Sequence, residues 1–157
     1  MLVLTLFLAS CVTAPVIVSK FNPAEAEFIN KSGTGIISGQ AFLRRNDGVV
    51  VYAAGSEVIL IPKSAYATER IGAIYRGGKL NNFMPEPEQT DPLYRQMTRR
   101  ARANGEGRFE FSGLADGDYY VVTDVVWNIG GARQGGSLME NASVRAGQPV
   151  QLIMTGQ

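Results

Sequence analysis

Asn104-Gly105-Glu106-Gly107-Arg108-Phe109-Glu110-Phe111-Ser112-Gly113-Leu114-Ala115-Asp116-Gly117-Asp118-Tyr119-Tyr120 is the stretch whose reading decides the fold. Gly105 and Gly107 permit a tight turn with positive φ. Phe109 and Phe111 stand two residues apart, so in a strand both rings point to one face, into a core. Gly117 lets the backbone re-enter a sheet sharply, and Tyr119 then points inward with its hydroxyl in reach of a backbone partner. The segment therefore predicts a strand, a short loop and a second strand whose aromatic residues specify the fold.

The same grammar extends in both directions. Ile36–Leu43 alternates loosely and runs into Arg44-Arg45-Asn46-Asp47-Gly48, where Asp-Gly signals a turn. Strands are predicted at Ile36–Leu43, Val49–Ala53, Glu57–Ile61, Arg99–Ala103, Arg108–Phe111, Tyr119–Trp127, Ser137–Val144 and Val150–Met154. Seven or eight short strands with a turn signal every ten residues or so define an all-β, Greek-key β-sandwich. No helical period of comparable strength appears, and no internal repeat. A length of 157 residues fits one domain with a real core, and 45% hydrophobic against 18% charged residues is ordinary globular composition.

The Asn104–Tyr120 pattern, a turn followed by G-x-F-x-F and then G-x-Y, resembles the carboxypeptidase regulatory-like domain family, of transthyretin (prealbumin)-like fold. Gly39-Gln40-Ala41 is similar to the first strand of that domain, and Ala54-Gly55-Ser56-Glu57-Val58-Ile59-Leu60-Ile61 to its A-G-x-x-V-x-L strand. The resemblance covers about residues 35–155 and implies the fold. It implies little about function, because the module hosts many roles.

The amino-terminal end carries a second resemblance. Met1 to Ala9 is an apolar run broken only by Thr5, too short for a bilayer-spanning helix and the right length for the core of a signal peptide. Leu8-Ala9-Ser10-Cys11 then resembles the lipobox of bacterial lipoproteins. That resemblance implies cleavage before Cys11, acylation of its thiol, and attachment to the membrane through N-terminal acyl groups. Val12 in place of Asp favours the outer membrane if the host is Gram-negative. The other reading makes Met1–Val18 a buried first strand and Cys11 a core thiol. The expected organisation is a signal peptide at 1–10, a lipidated cysteine and tether at 11–34, and a sandwich at 35–157 with a long loop insertion at 63–98. A short pairing strand at Val16–Val18 and a short helix near Pro92–Arg100 are the regular pieces expected outside the sandwich strands.

Much chemistry is excluded. The chain has no histidine, which removes serine–histidine catalysis and the commonest metal ligand. One cysteine allows no internal disulfide, and no S-x-x-K occurs. Gly72–Lys79 fails as a phosphate loop in both spacing and its final residue. The acidic group Glu86, Glu88 and Asp91 is interleaved with prolines and reads as an extended solvated segment rather than a metal or glycosidase site. A net charge of +1 offers nothing to nucleic acid. The expectation is a protein without enzymatic activity, cofactor or metal.

The candidate contact residues are then few. Trp127 precedes a glycine-rich stretch read as a flexible connection, and is either a core residue or an exposed stacking platform for a sugar or peptide. Tyr66 and Tyr75 either form an aromatic surface on the long loop or pack that loop onto the sandwich. Arg100 and Arg102 share a strand face that could meet an acidic partner or lipid headgroups, or simply face solvent, paired across the sheet with Glu110. The functional expectation is a structural or protein-interaction module at the cell envelope, with a carbohydrate- or small-ligand-binding module as the alternative. The implied partners are the membrane and either an envelope protein or a glycan.

Overall fold

The computed structural model describes residues 15–76, 79–80 and 90–156. The segment expected to be a signal peptide and lipobox, with Cys11, and the acidic residues Glu86 and Glu88 lie outside the described residues.

All eight predicted strands form. One sheet is built on β1 (Ser32–Arg44), which pairs with β2 (Val50–Tyr52), β7 (Arg108–Leu114) and β10 (Val150–Met154). The β1–β10 pairing is parallel, whereas β2 and β7 run antiparallel to β1. The second sheet has the order β4-β5-β9-β8-β3-β6. Its long members are β3 (Glu57–Pro62), β6 (Arg99–Arg102), β8 (Gly117–Ile129) and β9 (Ala132–Val144), with two-residue pieces β4 (Tyr75–Arg76) and β5 (Lys79–Leu80) at one edge. The chain passes between the sheets after β2, after β6, after β7 and after β9, which gives the Greek-key β-sandwich.

The deciding motif behaves as its chemistry requires. The Asn104 side chain accepts from the N–H groups of Glu106 and Arg108, both at 2.9 Å, and closes the turn before β7. Gly107 takes the positive φ there, at 72°. Gly105 does not, so one glycine carries the turn. Phe109 and Phe111 are buried between the sheets with their rings edge to face, 6.2 Å apart. Tyr119 is fully buried and donates its hydroxyl to the carbonyl of Ala115 at 2.8 Å. Gly117 is needed for a different reason than a sharp re-entry: a Cβ there would stand 2.4 Å from the Phe28 ring. Truncating one such buried phenylalanine to alanine costs about 3–5 kcal/mol.

β8 reads Tyr119-Tyr120-Val121-Val122-Thr123-Asp124-Val125, a nearly continuous apolar run, because both its faces are covered. Tyr119, Val121 and Val125 enter the core between the sheets. Tyr120 and Val122 face the other way, into a second cluster beneath a helix.

That helix corrects the expected loop at 63–98. α2 spans Ala65–Ile74, capped by the Ser64 hydroxyl accepting from the Ala67 N–H at 3.1 Å. Its buried face is Tyr66, Ala67, Arg70, Ile71 and Ile74. A shorter helix, α3, spans Pro92–Gln96, where a helix was expected.

The tether expected at 11–34 is also corrected. From Ile17 onward side chains of this segment pack on the domain, and no strand forms at Val16–Val18. Ile17 and Phe21 join the cluster under α2. A one-turn helix, α1 (Pro23–Ala26), and a 3₁₀ turn at Glu27–Asn30 follow. Ala26 and Ile29 are buried, and Phe28 lies against Tyr119. The Arg99 guanidinium holds this turn by donating to the Ile29 carbonyl at 2.7 and 3.0 Å. The folded unit therefore begins well before residue 35.

Candidate functional site

Two hairpins project from one end of the sandwich. The β1–β2 hairpin turns at Arg45–Gly48, closed by Arg45 N–H to Val49 carbonyl at 2.8 Å and Gly48 N–H to Arg45 carbonyl at 2.9 Å. The β8–β9 hairpin turns at Gly130-Gly131, both with positive φ. Its ladder is unbroken from Gly117↔Val144 to Ile129↔Ala132. The stretch read from sequence as a flexible connection is thus a long paired ribbon, because two adjacent glycines suit the tight turn that its twist demands.

Between these hairpins lies an open cleft of about 440 Å³. Trp127 and Leu43 form its apolar wall, and Arg44, Arg45, Asn46, Asp47 and Gln134 supply polar groups. Trp127 and Gln134 are directly opposed across β8 and β9, so they share a face. Gly136 also lines the cleft, and nothing lies within 4 Å of where its Cβ would stand. Gly135 has φ +95°, and a Cβ there would meet the Val125 carbonyl oxygen at 2.0 Å and the Trp127 ring at 2.9 Å. The direct cross-strand neighbour of Trp127 is thus Gln134, and glycine at 135 and 136 keeps the next two positions of β9 free of side chains.

The indole is partly buried against the core. Its Nε1 is buried and has no hydrogen-bond partner among the described residues. A buried N–H left without a partner costs about 1–3 kcal/mol. Opposite it, Asp47 bonds the Arg45 guanidinium at 2.5 Å and accepts from the Val49 N–H at 3.2 Å. Arg44 donates to the Gly48 carbonyl at 3.1 Å. These bonds fix the turn and aim its side chains at the cleft mouth. A second concavity of about 410 Å³ lies on the other side of β9, lined by Tyr75, Asp124, Val126 and Arg133 and sharing Gln134–Ser137.

The other candidates separate from this site. Tyr66 and Tyr75 are not a surface: both are buried, at 5% and 8% exposure. The Tyr66 hydroxyl accepts from the Asp91 N–H at 3.1 Å, and its ring packs on Phe21 and Tyr94. The Tyr75 hydroxyl is hydrogen-bonded to Ser137 Oγ at 2.7 Å. Tyr66, on the buried face of α2, and Tyr75, the first residue of β4 just after it, belong to the cluster that joins α2 to the outer side of the second sheet. Arg100 and Arg102 are exposed on β6, but Arg100 pairs with Glu57 on β3 rather than with Glu110, and Arg102 donates to the Gly55 carbonyl at 2.9 Å. Neither lines the cleft. Sequence reasoning missed Asn46 and Asp47 as site residues, having read them only as a turn, and it missed Gln134. Among the described residues, no group of three His, Cys, Asp or Glu side chains could hold a metal ion.

Fold and cleft together define a Greek-key β-sandwich with an aromatic-walled groove between two hairpin tips. A candidate carbohydrate-binding protein from Pseudomonas aeruginosa has the same fold: its crystal structure superposes with a TM-score of 0.71 over 87% of this chain and 98% of that one, at 23% sequence identity. No protein-family model matches the sequence, and no curated protein matches it.

Proposed function

We propose that this chain is a non-catalytic carbohydrate-binding module, displayed at the bacterial cell envelope by a lipidated Cys11. The observation that carries the binding reading is Trp127: a half-buried indole that walls the cleft beside the open Gly136 position, in a cleft whose lining also includes Asn46 and Asp47 of the β1–β2 turn. A sugar ring has an apolar face of C–H groups and a rim of hydroxyls. It suits an aromatic plate flanked by planar amide, carboxylate and guanidinium groups. A volume of about 440 Å³ falls in the range of small-ligand clefts and is concave, unlike the broad surface that a protein partner needs. The likeness to the Pseudomonas protein is a supporting consideration of the same kind.

Binding rather than catalysis is supported by the carboxylates. Glycoside hydrolysis uses two, about 5–10 Å apart. Among the described residues the cleft lining includes one, Asp47, and that one is held by Arg45. The anchor reading rests on the Leu8-Ala9-Ser10-Cys11 sequence.

A glycan array probed with the Cys11→Ser chain, followed by calorimetric titration of the sugars retained, tests the binding reading. Trp127→Ala is expected to weaken binding tenfold or more, about 1.4 kcal/mol. Gly136→Val fills the open space beside the ring, leaves the tryptophan in place, and is expected to abolish binding. Sugar binding that survives both substitutions would move the site elsewhere.

A further inference from the structure

We propose that the segment Pro15–Phe21 is a clamped leash that lays the α2–α3 side of the domain against the lipid bilayer. This rests on the reading of Cys11 as the acylated residue. Extended, the tether expected at 11–34 would reach about 80 Å and let the domain roam. The structure ends that freedom early. The Glu69 carboxylate of α2 accepts from the backbone N–H groups of Val18 and Ser19, both at 2.8 Å. Ile17 packs beneath α2, and the Phe21 ring stands edge-on to Tyr66 and Tyr94, 5.8 Å from each. The side-chain bond from Ser19 and the two backbone N–H bonds hold the Glu69 carboxyl below its usual range, so the clamp is charged and closed at neutral pH. Four residue steps then separate Cys11 from Pro15, a reach of about 14 Å at most.

The surface at the end of that leash suits a lipid interface. Val16 and Val18 are 83% and 82% exposed, alternating with the half-buried Ile17, and Leu93 of α3 is 48% exposed. The outward positions of α2, namely Ala65, Thr68 and Gly72, carry no charge. Lys20, two residues beyond Val18, is exposed and matches anionic headgroups. Aliphatic side chains with a flanking cation, held within a few residues of an acyl anchor, are placed to rest in the headgroup region.

The test uses the full-length, host-processed protein carrying Val18→Cys or, on the outer side of the opposite sheet, Ile153→Cys. Acylation of Cys11, read first by intact mass, leaves the new thiol as the one that labels. An NBD probe at each position is reconstituted in phosphatidylethanolamine–phosphatidylglycerol vesicles containing nitroxide lipids. At least twofold quenching at position 18, with little at 153, is the expected result. An acylated protein whose position 18 is quenched no more than 153 overturns the apposition and leaves the anchor standing. A chain without acyl mass overturns both.

Discussion

Tyr94 shows how much a single side chain reports on the packing around α2. Its ring lies between Phe21 and Tyr66, and burial pushes its hydroxyl up to about 12. In the unfolded chain a tyrosine ionises near 10. The unfolded state therefore gives up this proton first, and the stabilisation is complete below about pH 10 and is lost between about 10 and 12. The loss is on the order of 2 kcal/mol. Tyr94→Phe is expected to flatten that part of the alkaline decline, measured as denaturant midpoints at pH 9 and 11.5. Identical declines in both proteins would mean that the hydroxyl is not buried in solution. The same scale explains what was readable in advance. Phe109, Phe111 and Tyr119 could be assigned inward from spacing alone, because a strand's period is two. Tyr66 and Tyr75 could not, because their partners, Phe21 and Tyr94 for the first and Ser137 for the second, lie 28 or more residues away in sequence.

Elements were legible where one rule dominated. The eight strands carried alternation or continuous β-branched runs, bounded by Gly and Asp-Gly turns. α2 was hidden because its buried face mixes Tyr66, Ala67, Arg70 and Ile71, so an arginine sits in the middle of the apolar stripe. Ser64 as its N-cap was the available signal. The residues before β1 looked like a linker because prolines and acidic residues interrupt any period. Ala26 and Ile29 among them are nevertheless buried, and Ile17, Phe21 and Phe28 pack in part against the core clusters. A chain beginning at Gly33 loses Ala26, Phe28 and Ile29 and uncovers Tyr119. It is expected to lose at least 2–5 kcal/mol, the usual cost of removing one large aliphatic side chain from a core. An unchanged urea midpoint would show that residues 15–32 contribute nothing to the fold.

On the scale of the whole molecule, function resides where two distant hairpins meet. About 80 residues separate Asn46 from Trp127, and no local pattern announces that their tips share a cleft. Trp127 was visible as a candidate because it is the one tryptophan and adjoins a glycine-rich stretch; the polar half of the site was not. That uniqueness makes the decisive measurement simple. Intrinsic fluorescence excited at the indole band reports on Trp127 alone. Titrating the Cys11→Ser chain with the oligosaccharides that it retains on an array is predicted to change the intensity or shift the emission of Trp127, saturably, with the dissociation constant found by calorimetry. Saturable sugar binding with an unperturbed Trp127 spectrum, or no binding to any glycan, would contradict the account.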